Sequence, residues 1–356
     1  MKKLSAFLLF SLSVLLAFSM YSAQPTAVNK MRGCLLGAAL GDALGAPVEF
    51  IDSLEMIKRD YPPNGIQGVA DLKPADYKKD QEGNRILAYT DDTAMSLVTI
   101  EALLAHKNSS SDVICAQMAK KFAIDMMHPF GWARPARAPG RACLKNVAII
   151  KDRVLSNKDR APGWWKAGGS NDGGCGSVMH AHPFGLVFHK DPEKAAQFSA
   201  QHSLITHGAP LAQASCAAMA IGVAYAYQGK DPEFIARKMM ETAAAYDQGT
   251  ADKIEKAIEY AYNPKISSET VFKEFLGWAA HDAIAATVYV FLTFPDDLQK
   301  AILFGVNTPG DSDSIASMAG ALVGARVGID QIPAQWIDIL EGADKLKMYA
   351  DHLAKA

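Results

Sequence analysis

Residues 307–324 read NTPGDSDSIASMAGALVG, two carboxylates and two hydroxyls set directly before a run of small apolar residues. From Ile315 to Val327 only Ser317 and Arg326 are polar. Such a composition predicts a tightly packed, buried helix. Asp and Ser at a helix start have an ordinary use, because they cap the free N–H groups of the first turn and suit the positive end of the dipole. What gives the stretch a second meaning is how the rest of the chain is built around the same pattern.

Moving outward, most of the sequence has helical period. Residues 94–105 (AMSLVTIEALLA) and 211–227 (LAQASCAAMAIGVAYAY) are apolar nearly all round, as buried helices are. Residues 249–262 are amphipathic, with Ile254, Ile258 and Tyr262 on one stripe, and 279–292 and 333–349 add further helices. Strand-like alternation is scarce, so the expectation is an all-α, compact multi-helix domain over residues 28–354. Gly33, Gly37, Gly41 and Gly45 recur at every fourth position, which on a helix makes one smooth face for close approach of another backbone. Asp42 beside that face favours packing in a protein core over a membrane dimer. Long irregular stretches are expected at 61–89 and 128–180, and loops of that length usually carry function.

With 356 residues, 49% hydrophobic and 21% charged, the chain can bury a sizeable core without staples. A formal net charge of -2 argues against nucleic acid as the main partner. Residues 1–23 differ in kind: Lys2 and Lys3 precede an uncharged run from Leu4 to Met20. This is the pattern of a secretory signal, predicting a periplasmic or secreted protein without stable membrane association after cleavage. The five cysteines, Cys34, Cys115, Cys143, Cys175 and Cys216, form no C-x-x-C pair and read as small buried residues.

The opening pattern has a second copy. Thr90, Asp91, Asp92 and Thr93 read TDDT, again directly before a buried helix. Capping does not need adjacent carboxylates ahead of a helix with no polar face. If the clusters meet, Asp91, Asp92, Asp311 and Asp313 bring four negative charges together, and these need compensation in a partly buried place. Two divalent cations balance them. Carboxylate and hydroxyl oxygens suit Mg²⁺, Mn²⁺ or Ca²⁺, and the absence of His and Cys from both clusters argues against zinc. On this chemistry alone, phosphoryl and glycosyl transfer both stay open.

Five motifs in order, MRGCLLGAALGDALGAPVEF, YTDDTAMSL, GGCGSVMHAHPFG, SLITHGAP and TPGDSDSIASMAGALVGA, make the sequence resemble the ADP-ribosylglycohydrolases over about residues 31–330. The resemblance implies an orthogonal helical bundle with a binuclear Mg²⁺ or Mn²⁺ centre, two ions per chain. It implies metal ligands at Thr90, Asp91, Asp92, Asp311, Asp313 and Ser314, where Ser314 stands for the family's usual Thr. Glu49 corresponds to an acidic residue beside the substrate ribose, acting with Asp311 and Asp313 in catalysis. Gly176, Ser177, Met179 and His207 are implied substrate contacts, with Cys175 and His180 departing from the family's usual Asn and Arg. Trp132, Phe130 and Tyr89 are candidates for stacking, and Arg134, Arg137 and Arg141 for phosphate contacts.

The expected activity is hydrolysis of ADP-ribose from modified acceptors, first of all ADP-ribosyl-arginine on protein. Serine-linked ADP-ribose, O-acetyl-ADP-ribose and other small ADP-ribose conjugates are the alternatives. A different class of function is an immunity-type binder of an ADP-ribosyltransferase toxin.

Overall fold

The computed structural model describes residues 25–80, 82–126, 137–158 and 161–355. Residues 1–24, and with them the expected signal segment, lie outside the described residues. The described chain is helical, with one two-residue hairpin, Lys78–Lys79 against Arg85–Ile86, inside the irregular stretch 61–89. In chain order the helices are α1 (Ala27–Gly45), α2 (Leu54–Asp60), α3 (Asp91–His106), α4 (Ser111–Lys121), α5 (Arg141–Leu155), α6 (His182–Val187), α7 (Pro192–Ser203) and α8 (Pro210–Tyr227). They continue as α9 (Pro232–Ala244), α10 (Gln248–Ala261), α11 (Ser268–Glu274), α12 (Ala280–Thr293), α13 (Leu298–Val306), α14 (Ser312–Val327), α15 (Ala334–Asp338) and α16 (Ala343–Ala354). Among the described residues no helix is long and apolar enough to cross a membrane.

The most extensive helix pairing joins α1 to α14, antiparallel, and its cause is the glycine stripe. A Cβ on Gly33 would fall 2.3 Å from the Gly324 carbonyl oxygen, one on Gly37 2.6 Å from that of Gly320, and one on Gly41 2.2 Å from that of Ala316. The relation is mutual, since a Cβ on Gly324 would meet the Gly33 oxygen at 2.1 Å. Two backbones therefore touch along the whole seam, closer than any side chain permits. At its end, Gly45 lies against Asp313, so the C-terminal end of α1 is set beside the N-terminal end of α14. The seam thereby fixes where the DSDS turn sits.

Around this pair the apolar faces of α8, α12 and α13 complete the larger core, which runs from Met31 to Leu353. A second cluster, including Met95, Phe122, Trp165, Phe184 and Ile205, fills the space among α3, α4, α5 and α6. All five cysteines are unpaired, four of them buried.

Two sequence expectations need correction. The stretch 128–180 is not irregular throughout, because α5 occupies Arg141–Leu155. Its buried residues Cys143, Asn146, Val147 and Ile150 form one helical face, a pattern hidden by the Gly, Pro and Arg residues flanking it. The single helix expected over 333–349 is two, α15 and α16. Between them Leu87 joins residues 339–341 by two backbone hydrogen bonds, and Gly342 takes a left-handed φ of 68°.

Candidate active site

The two acidic clusters meet at one cleft of about 280 Å³, whose lining includes Glu49, Asp91, Asp92, Asp311, Asp313 and Ser314. Carboxylate oxygens of Glu49, Asp311 and Asp313 lie within 4.8 Å of one another, and so do those of Asp42, Asp92 and Asp313. Asp313 belongs to both groups and links them.

Asp42 was not expected in the site, yet it positions half of it. It is fully buried on α1. Its Oδ1 accepts from the Thr90 amide at 2.8 Å and the Thr90 hydroxyl at 2.7 Å. Its Oδ2 accepts from the Thr93 amide at 2.9 Å and the Thr93 hydroxyl at 2.6 Å. One carboxylate thus takes up free donors at the start of α3 that a capping side chain of the helix itself would otherwise satisfy. With four donors on its two oxygens, Asp42 has little capacity left for a cation, and we read it as a positioning residue. A sequence signal existed: a carboxylate on an otherwise apolar, glycine-lined helix must have partners.

The ligand chemistry fits the residues present. Asp92 is 2% exposed, and its Oδ1 has no hydrogen-bond partner. An ionised oxygen left in that condition is costly, and a cation is the simplest compensation. The Thr90 hydroxyl gives its proton to Asp42, while its oxygen lies 3.5 Å from both Asp92 Oδ2 and Asp313 Oδ2. Its lone pairs are free for the same centre. Among the described lining residues the acids outnumber the one arginine, Arg141.

The electrostatics follow from crowding and burial. Desolvation, joined by the neighbouring carboxylates, pushes Asp91, Asp92 and Asp313 well above the usual carboxylate range. Asp311 and Asp42 are raised by burial too, against the pull of their hydrogen bonds. Glu49, half-buried at the cleft edge, is pushed up to about 8, first by desolvation and then by the charges of Asp311 and Asp42.

The remaining expectations divide. Gly176, Met179, His207 and Arg141 line the cleft. A Cβ on Gly176 would lie 2.8 Å from Cys143 Sγ and 2.9 Å from His207 Cε1, so glycine is required for close packing there. His207 is 2% exposed, shares a 2.9 Å hydrogen bond with Thr206, and is lowered to about 4 by burial. Ser177 does not reach the cleft. It is fully buried, 2.8 Å from the Ser203 hydroxyl, because the tight 175–177 turn rotates it inward one step after Gly176. His180 is likewise internal, packed between Phe122 and His202 with Nδ1 3.1 Å from the Thr99 hydroxyl. Arg137 is committed to Glu341, at 2.6 and 2.7 Å, and lies over the Tyr89 ring, which removes both from the stacking and phosphate candidates. Trp132, Phe130 and Arg134 lie outside the described residues.

An acid-lined cleft with an unpartnered carboxylate oxygen fits divalent cations, and comparison with known proteins gives the class. The family model described as ADP-ribosylglycohydrolase matches residues 23–356, and the chain belongs to that family of hydrolases. Human ADP-ribosylhydrolase ARH3 is 28% identical over 359 residues, covering 92% of this chain and 93% of that protein. The ADP-ribosyl-[dinitrogen reductase] glycohydrolase of Rhodospirillum rubrum is 26% identical over 324 residues, covering 89% and 92%. A solved chain of an ADP-ribosylglycohydrolase-related protein complex has the same fold, with a TM-score of 0.65 at 21% identity over 92% of this chain and 98% of that one.

Proposed function

We propose that this protein hydrolyses the bond between ADP-ribose and a modified acceptor, with ADP-ribosyl-arginine on protein as its principal substrate. The centre would hold two Mg²⁺ or Mn²⁺ ions on Thr90, Asp91, Asp92, Asp311, Asp313 and Ser314. The observation that carries this reading is the meeting of the two acidic clusters around Asp313, with a buried Asp92 oxygen left unpartnered. Bound there, such cations would polarise a substrate oxygen and lower the pKa of water.

The chain's own groups supply the rest. Cleavage at an anomeric carbon develops positive charge, which Asp311 and Asp313 face from the cleft floor. Glu49, half-buried beside Asp311 and Asp313, is the group placed to pass a proton to the departing acceptor or to take one from water. Gly174 and Gly176 line the cleft beside Arg141, which offers the diphosphate a charge. That the acceptor is a protein draws support from the Rhodospirillum relative, whose name gives an ADP-ribosylated protein as substrate. The signal-like pattern of residues 1–23 is what favours action outside the cytoplasm.

The test is release of free ADP-ribose from an ADP-ribosylated arginine protein with Mg²⁺, with Mn²⁺ and with chelator, beside Asp311→Asn. The expected outcome is metal-dependent release that falls at least about 100-fold in the variant. Serine-linked and O-acetyl-ADP-ribose substrates run in parallel rank the linkages. Release unaffected by chelator would end the metal reading, and no release from any linkage would end the enzymatic one.

A further inference from the structure

Two large apolar side chains stand exposed at the rim of this cleft, Phe50 at 67% and Trp278 at 40%. Their rings stack on each other, centroids 5.0 Å apart and planes within 15° of parallel. Exposed aromatic faces beside a catalytic cleft are costly to maintain in water and usually mark a surface that something covers. The backbone here is specially arranged to hold them. Phe50 has a φ of 67°, the left-handed region that a side chain of this size rarely adopts, and the strain persists because its amide donates to the Gly310 carbonyl while the Gly310 amide donates to Ile51. On the other side, the Trp278 carbonyl accepts from the Cys175 amide, and the Ala280 amide donates to the Gly173 carbonyl. The Phe50 backbone is therefore tied to the residue before the DSDS turn, and the Trp278 backbone to the glycine loop.

Their place along the substrate follows from their neighbours. Phe50 directly follows Glu49, and Gly277, before Trp278, packs so closely on Asp311 that a Cβ there would lie 2.8 Å from the Asp311 Cβ. Each ring is thus one residue from a contact with the reacting centre. In an ADP-ribosyl group the adenine is separated from the reacting end by a ribose and a diphosphate, and the second ribose carries the anomeric carbon, so rings whose backbone is tied this closely to the reactive carboxylates stand at the anomeric end, where the acceptor is attached.

We infer that Phe50 and Trp278 form the acceptor platform, which recognises the planar guanidinium of an ADP-ribosylated arginine by stacking. This rests on the arginine reading proposed above. A delocalised cation over the face of Trp is a favourable pairing, strongest where water is excluded. An aliphatic serine or an acetyl group has no planar cation to place there, so the platform discriminates among linkages.

The experiment compares wild type, Trp278→Ala, Trp278→Phe and Phe50→Leu, all with metal. kcat/KM is measured on arginine-linked and serine-linked ADP-ribosyl proteins, and the affinity for free ADP-ribose by calorimetry. Trp278→Ala is expected to lower kcat/KM about tenfold on the arginine linkage and less than threefold on the serine linkage. Its Kd for ADP-ribose is expected to stay within twofold, and Trp278→Phe to recover most of the loss. Equal losses on both linkages, or weakened ADP-ribose binding, would overturn the acceptor assignment and make the pair part of the ADP-ribose site. No loss in Trp278→Ala or Phe50→Leu would leave the rings a packing pair and end the proposal. If wild-type protein releases nothing from the arginine linkage yet releases ADP-ribose from the serine one, the arginine reading itself fails and the guanidinium platform with it.

Discussion

The two acidic turns have nearly the same composition but are held in place by different means. DSDS is positioned by backbone: Gly45 presses on Asp313, the Ser312 hydroxyl donates to the Gly45 carbonyl at 3.1 Å, and the glycine seam behind it leaves no freedom. TDDT is positioned by a side chain, the Asp42 carboxylate, which gathers the hydroxyls and amides of Thr90 and Thr93. Both supports lie on α1, Asp42 one residue after Gly41. A single helix therefore sets the separation of the two clusters, one rigidly and the other through four hydrogen bonds. Damage to the first should cost the fold, and damage to the second should cost the site.

The largest effect is expected from the seam. At Gly41 an added Cβ would lie 2.2 Å from the Ala316 oxygen and 2.4 Å from its carbonyl carbon, atoms of a backbone that cannot move aside. Gly41→Val should destabilise the protein by about 3 kcal/mol or more, or prevent folding. Chemical denaturation gives the value directly. For contrast, Gly83, with open space around it, should tolerate a small residue far better despite its φ of 86°. A mild effect at Gly41 would mean that the two helices separate more easily than their contact implies.

Next in size is Asp42→Ala. It leaves the two amides and two hydroxyls of TDDT without their acceptor, a loss of about 2 kcal/mol, tempered by removal of one crowded carboxylate. The effect on the site should exceed the effect on the fold. Second-sphere partners of metal ligands typically govern 10- to 100-fold in affinity, so divalent-ion affinity should fall within about that range while the helical circular dichroism is kept. Calorimetric titration with Mn²⁺ measures it. Unchanged ion affinity would show that Asp91 and Asp92 hold their places without Asp42, and would remove the distinction between the two turns.

What the sequence could and could not reveal divides along similar lines. Paired carboxylates before helices with no polar face were readable, because nothing in ordinary capping explains them. The glycine stripe was readable too, since a four-residue period has one geometric meaning on a helix. Asp42 was overlooked as a ligand holder because its partners lie 48 and 51 residues away, and one buried acid does not name its donors. The burial of the Ser177 side chain is not legible either, because a motif places a residue in a turn without saying which way its side chain points. The Phe50–Trp278 stack joins two segments with no local pattern in common, and only the folded chain brings them together.

The smallest expected effect concerns pH, and it tests the charge balance that both turns share. Glu49 moves from an ordinary 4.5 to about 8, so between those values the folded protein binds more protons than the unfolded chain. Stability from this group is fully present below about 4.5 and is lost as pH rises through about 8. The raised aspartates act in the same direction. The buried histidines oppose them: burial lowers His182, His202 and His207 to about 4, so their contribution grows as pH rises from about 4 to the ordinary 6.5 and then stops. Above about pH 7 the histidine contribution levels off and the carboxylates dominate, and in chelator Tm should fall by a few degrees between about pH 7 and 8. Saturating Mg²⁺ should flatten the fall, because cations favour the ionised carboxylates that burial penalises. Glu49→Gln should flatten part of it without metal. A fall of equal size with and without Mg²⁺ would mean that the cation does not neutralise this cluster, and the acids of DSDS and TDDT would then need some other partner to share one buried place.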